Sequence, residues 1–245
     1  MRAAVISDIH GNLYALEAVL DALEKDPPDE IWSLGDTIGY GPRPNRCAAL
    51  MQERANVALA GNHDLAILGA TGVSDLSEFS HDAAVSGRWT QEVLSDEARS
   101  YLSGLEPLAK VDGAELFHAS PRDPVWDYVL TAEGALDALD LTQAPLVLVG
   151  HSHVALAIGI TDAALDGGLA PEGSEADLGR GRWLLNPGSV GQPRDGDPRA
   201  AYLMVDFDAK RAQFRRVPYA VERTQAEIRE RNLPEALAER LAHGL

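Results

Sequence analysis

A four-layer α/β/β/α sandwich, two mixed sheets flanked by helices, is the fold class this sequence predicts, and three observations predict it. The first third alternates short apolar runs with amphipathic stretches, the rhythm of parallel strands joined by helical crossovers. Beyond residue 145 the apolar runs at 154–160, 182–185, 201–207 and 212–217 have mostly short connections, as antiparallel strands do. The apolar share, 45% of 245 residues, is ample for a sizeable core. One domain over residues 1–245 is expected.

Taken in order, residues 3–7 read as a strand that runs into Asp8, and His10-Gly11-Asn12 as a turn. Over 13–25, Leu13, Leu16, Val19, Leu20 and Leu23 fall on one helical face suited to lying on a sheet. A strand at 31–34, a helix at 44–54 and a strand at 57–60 continue the rhythm. Helices follow at 80–94 and 95–102, the second opened by Ser95 with Asp96 and Glu97 in its first turn. Asp112-Gly113, between runs at 109–111 and 114–119, is a hairpin signal. Residues 146–149 are continuously apolar, as in a strand buried on both faces. The later runs look like an antiparallel meander. Residues 163–181, rich in Gly, Ala and acid and without periodicity, are expected to form an exposed loop. A charged helix over 221–231 and another after Pro234 follow.

Thirty-eight acidic residues against 21 Lys and Arg give a formal charge of -17, which excludes stable binding of duplex nucleic acid through clustered cations. Two bound divalent ions would leave roughly -13. An anionic substrate must therefore be captured locally, and small phosphate esters or nucleotides suit that better than long polyanions. Cys47 is the only cysteine and reads as a small packed hydrophobe. With no secretion signal and no bilayer-length apolar stretch, no membrane association and a cytoplasmic location are expected. His81 and His243 read as surface residues. Oligomeric state has no signature in the sequence.

Chemistry concentrates in five ordered blocks: Asp8-Ile9-His10, Gly35-Asp36, Gly61-Asn62-His63-Asp64, His118, and Gly150-His151-Ser152-His153. Each follows an apolar run, and ligands in open α/β sheets bind outside the carboxyl ends of strands, so the blocks are predicted to share one site. They offer carboxylates at Asp8 and Asp36, imidazoles at His10, His118, His151 and His153, and the Asn62 amide oxygen. Nitrogen and oxygen donors without thiolate suit manganese, iron, zinc, cobalt or nickel rather than calcium or an iron–sulfur cluster. Seven donors exceed one ion's needs; two ions bridged by Asp36 would have three or four protein donors each. Singly, each block has an ordinary reading, an N-cap aspartate or a hydrogen-bonded core histidine. Five such accidents in this order are much less probable than one binuclear site.

These blocks resemble the signature of the calcineurin-like metallophosphoesterase superfamily. The longer runs at 35–42, 118–122 and 186–194 resemble a bacterial branch described as phosphodiesterases or phosphatases. The resemblance implies a metallo-dependent phosphatase fold and two divalent transition-metal ions, manganese or iron foremost. It assigns Asp8, His10, Asp36 and His153 to one ion and Asp36, Asn62, His118 and His151 to the other. His63 would be the catalytic histidine, with Asp64 fixing its ring. The implied reaction is hydrolysis of small phosphate esters, phosphodiesters first, by attack of a metal-bridging hydroxide. Monoesters, phosphoproteins and dinucleoside polyphosphates are the alternative substrates. Arg122 and Arg194 are candidates for a phosphate clamp, and Asn12 is either a turn residue or a substrate neighbour. Asn186-Pro187-Gly188-Ser189 either shapes the site or merely joins strands. A non-catalytic module of the same fold would be expected to have lost ligands, and none is missing. A metal-dependent amidohydrolase would open on His-x-His at its first strand, which this chain does not.

Overall fold

The computed structural model describes residues 1–70, 72, 75–161 and 164–245. In chain order these form β1 (Arg2–Ile6), α1 (Leu13–Lys25), β2 (Glu30–Ser33), α2 (Pro44–Arg54), β3 (Val57–Ala58), α3 (Asn62–Leu68), α4 (His81–Val93), α5 (Asp96–Leu102), β4 (Leu108–Val111) and β5 (Ala114–Phe117). Then come α6 (Ala132–Asp140), β6 (Leu146–Leu148), β7 (Ala155–Thr161), β8 (Ala164–Leu169), β9 (Glu175–Asp177), β10 (Arg182–Pro187), β11 (Ala200–Asp206), β12 (Arg211–Val217), α7 (Val221–Glu230) and α8 (Glu235–Glu239). Short 3-10 turns lie at Leu76–Glu78 and Arg240–Ala242.

Two six-stranded mixed sheets result, ordered β3-β2-β1-β11-β12-β9 and β4-β5-β6-β10-β7-β8. Successive side chains on a strand point to opposite faces, and β1 shows what that builds. Ala3 and Val5 join Leu116, Leu148 and Trp183 of the other sheet in the inner core, while Ala4 and Ile6 join Leu16, Leu20 and Met51 of α1 and α2 outside. On the far side Ala135 and Leu139 of α6 pack on Val147, Val149 and Leu184. The layers are therefore helix, sheet, sheet, helix. Cys47 is fully buried in the α1–α2 layer, and His81 and His243 are exposed.

Three expectations need correction. The late strands do not make one meander: β11 lies beside β1 in the first sheet, and β10 lies between β6, to which it is parallel, and β7. Both β10 and β11 are buried almost throughout, and a strand covered on both faces needs a central place. Within 163–181, β8 and β9 replace the expected loop; residue 163 lies outside the described residues. As an edge strand β8 exposes nearly every side chain and is held by backbone pairing to β7, so it carries no apolar alternation to read. Helices α3 and α6 were not anticipated. The first is only seven residues long and begins inside the Gly-Asn-His-Asp block. The second starts at Thr131, whose hydroxyl accepts from Gly134 N at 3.1 Å. Among the described residues no helix is long and apolar enough to cross a membrane.

Candidate metal centre

The parallel strands β1, β2 and β3 of one sheet and β5 and β6 of the other all end at one rim. Asp8, Asp36, Asn62, His118 and the His151–His153 pair sit just past those ends, and all seven predicted donor residues are buried. The turns that carry them are strained. Six of the eight described non-glycine residues with positive φ are Asp8 (54°), His10 (50°), Asp36 (52°), Tyr40 (50°), His151 (62°) and His153 (59°). Left-handed backbone is disfavoured for residues with a Cβ, and such residues cluster at functional sites. Glycine relieves the remaining crowding: Gly35 has φ +102°, and a Cβ there would lie 2.8 Å from His118 Nδ1.

Outer hydrogen bonds set the imidazole tautomers. His10 Nδ1–H donates to Ile38 O (3.2 Å), His118 Nδ1–H to Leu34 O (2.8 Å) and His153 Nδ1–H to Gln192 O (2.6 Å), leaving each Nε2 a bare lone pair. The lone pairs face other acceptors. His10 Nε2 stands 3.1 Å from His153 Nε2, and His118 Nε2 stands 3.0 Å from Asn62 Oδ1. Asp36 divides its carboxylate: Oδ1 accepts from His63 N at 2.9 Å, while Oδ2 lies 3.5 Å from His10 Nε2 and 3.7 Å from His118 Nε2. Asp8 does likewise, with Oδ2 accepting from His151 N (3.1 Å) and Oδ1 3.5 Å from His153 Nε2. Asp8 Oδ1, Asp36 Oδ2 and His151 Nε2 have no hydrogen-bond partner. Buried acceptors facing acceptors repel unless cations stand among them.

Two groupings could hold ions, Asp8, His10, Asp36 and His153 in one and Asp36, His118 and His151 in the other, each with its ligand atoms within 4.8 Å of one another. Asp36 belongs to both, and Asn62 Oδ1 adjoins the second. The electrostatics agree with this fit. Burial raises Asp8 to about 7, and burial followed by the charge of Asp64 raises Asp36 well above the carboxylate range. Burial lowers His151 to about 2 and holds His10 and His153 well below the usual imidazole range. These three imidazoles are thus neutral, as ligands must be, and the positive charge near the carboxylates does not offset their desolvation.

His63, at the start of α3, is lowered to about 3 by burial and then by Arg194; its ring contacts those of His10 (4.9 Å), Tyr40 (4.5 Å) and Phe79 (4.9 Å). It lines a cavity of about 480 Å³ together with Tyr40, Phe79, Trp126, Arg194 and Arg240. A larger hollow of about 570 Å³ lies by β8 and β9, where no described residues form a metal-ligand group.

The remaining predicted residues divide. Arg194 reaches the cavity. Arg122 does not: its side chain is 52% exposed and lies 3.2 Å from Asp137 and 3.9 Å from Asp127, so acids of its own neighbourhood hold it at the surface. No hydrogen bond joins the Asp64 carboxylate to Nδ1 of the His63 ring, which has no partner. Its carboxylate accepts from Thr37 N (3.1 Å), Ile38 N (3.0 Å) and Gly61 N (3.0 Å), pinning the Asp36 loop to α3. Asn12 caps α1 and is fully engaged, accepting from Ala15 N (3.3 Å) and Thr224 Oγ1 (2.9 Å) and donating to Gly191 O (2.8 Å) and Tyr219 Oη (3.2 Å). The 186–194 run shapes the site. Asn186 Nδ2 holds Gly150 O at 2.7 Å, Ser189 Oγ donates to Asp8 O at 2.8 Å, and Gln192 O orients His153. Sequence reasoning missed Phe79, Trp126, Tyr128 and Arg240. Tyr128 stacks on His151 at 4.0 Å, and two aromatics within an irregular stretch were its only signal. Arg240 had none.

A family model described as the calcineurin-like phosphoesterase superfamily domain matches residues 1–210. A solved metallophosphoesterase from Sphaerobacter thermophilus is similar over the full length of both chains, at 42% identity and a TM-score of 0.88. An uncharacterised protein of Methanocaldococcus jannaschii is 34% identical, covering 98% of this chain and 97% of its own. Phosphodiesterase YfcE of Escherichia coli is 26% identical over 85% of this chain and 89% of its own.

Proposed function

The chain belongs to the calcineurin-like phosphoesterase superfamily and is a metal-dependent phosphoric ester hydrolase, and we propose that its substrates are small phosphate esters, phosphodiesters foremost. In this reading Asp8, His10, Asp36 and His153 hold one divalent ion and Asp36, Asn62, His118 and His151 the other, manganese or iron in preference to zinc, cobalt or nickel. The observation that carries it is Asp36 Oδ2, buried, without a donor, and between the Nε2 atoms of His10 and His118. Bound there, two divalent ions supply an ionised water and positive charge for the phosphoryl oxygens.

The chain's own residues do the rest. Asp64, Asn186 and Ser189 fix the backbone of the ligand loops, so the donors need no rearrangement. His63 is neutral while the cavity holds no anion. The charge of the ester raises its basicity so that it takes up a proton from solvent, and it then gives that proton to the departing oxygen and returns to the neutral form. Arg194 lines the same cavity and is placed to pair with an anionic group of the substrate. Phe79 and Trp126, with ring centroids 5.4 Å apart, wall the cavity against water. Residues 1–245 act as one domain, since each end of the chain supplies strands to the first sheet. The single buried Cys47 suits a reducing, cytoplasmic setting.

The phosphodiesterase relative supports the choice of diesters over monoesters. Manganese-loaded protein should turn over bis(p-nitrophenyl) phosphate with kcat/KM at least tenfold above that for p-nitrophenyl phosphate. The reverse preference refutes the diester assignment, and hydrolysis of neither refutes the phosphoesterase reading.

A further inference from the structure

Arg240 lies beyond the residues matched by the family model and enters the cavity from the 3-10 turn after α8. It is firmly placed: Leu237, Ala238 and Leu241 pack with Ile228 and Leu233 in a small core that also touches Tyr40. Both cavity arginines converge on one neutral atom, Gln192 Oε1, at 2.8 Å from Arg194 and 3.3 Å from Arg240. Arg194 also reaches Tyr40 Oη at 3.5 Å, and its buried Nε has no partner. Among the described residues neither guanidinium forms an ion pair, although Arg43, Arg122, Arg199, Arg211, Arg216 and Arg229 each lie against a carboxylate. Glu78 lines the same cavity and the charge of Asp82 acts on Arg240, but among the described residues no carboxylate lies within 4.0 Å of either guanidinium. In a chain with 38 acids, the two adjacent cations thus form a prepared anion site. Burial and the charge of Arg194 both hold Arg240 below the ordinary guanidinium range, a penalty that an arriving anion removes.

Resting on the phosphoesterase reading above, we propose that Arg194, Arg240 and Tyr40 form a second anion subsite, and that the natural substrate is a small organic phosphate bearing a second phosphate or similar anionic group beyond the ester bond being cut. A simple diester carries one negative charge, which the metal centre and His63 already engage; two further guanidiniums exceed what it can use. Arginine favours this role because its planar fork pairs with phosphate through two hydrogen bonds.

Calorimetric titration of the manganese-loaded protein with adenosine 5′-monophosphate, adenosine 5′-diphosphate and adenosine 3′,5′-bisphosphate tests the proposal with two placements of the second phosphate. At least one two-phosphate ligand should bind ten times more tightly than the monophosphate or better. In Arg240→Gln that ratio should fall below about three, with Arg240→Lys between. Because the readout is a ratio of affinities, a general loss of fold cancels. Ratios below three for both ligands in the wild-type protein overturn the subsite, as does a ratio that survives in Arg240→Gln. The phosphoesterase reading fails separately, on absence of hydrolysis.

Discussion

Asp36 shows how one side chain joins fold to chemistry: one oxygen fixes the start of α3 through His63 N, and the other lies between two imidazole lone pairs. The same bond places His63 beside the cluster. His63→Ala should lower kcat on bis(p-nitrophenyl) phosphate by about 10²- to 10⁴-fold, the range for removing a general acid, with metal content by elemental analysis unchanged. Retained kcat would remove His63 from the chemistry, whereas lost metal would make it a structural residue. At this scale donor types and their order were legible, because aspartate and histidine at strand ends have few common uses when they recur together. The division between Arg122 and Arg194 was not legible, because it depends on Asp127 and Asp137 neighbouring only one of them.

The element that contributes most beyond the strand ends is α7. Thr224 bonds to Asn12, the cap of α1, and Glu227 takes a two-pronged bond from Arg43 at 2.5 Å and one from Tyr14 at 2.7 Å. The α7 clamp thereby sets the position of the turn bearing Arg240. The bond from Arg43, ahead of all other causes, lowers the pKa of Glu227 from about 4.5. A carboxylate lowered in the folded state contributes stability above its unfolded pKa and loses it as pH falls through the folded value. Glu227→Gln should therefore melt below the wild type at pH 7, with the difference narrowing below about pH 4.5. A constant difference across that range would mean that the ion pair contributes nothing through charge. Helix α1 was legible because Leu16, Val19, Leu20 and Leu23 make one buried stripe. Strand β8 was hidden because backbone pairing to β7, which side chains do not record, holds it.

For the molecule as a whole, the layers could be read from sequence, but the assignment of strands to sheets could not. Pairing β11 with β1 joins residues some 200 positions apart, as in Arg2 opposite Asp206, and no local pattern encodes that choice. The pairing has a functional result, since the turn ahead of β11 is bound to the backbone of Ser7 and Asp8 through Val190 N (2.9 Å) and Gly191 N (3.0 Å). Strands from both ends of the chain thus converge on a centre for two cations within a protein of charge -17. The most direct measurement is metal stoichiometry by elemental analysis after loading with manganese and removal of free ion. Two ions per chain in the wild type, falling to one or none in Asp36→Asn, is the predicted result. One ion or fewer in the wild type, or two retained in Asp36→Asn, would contradict a centre bridged by Asp36.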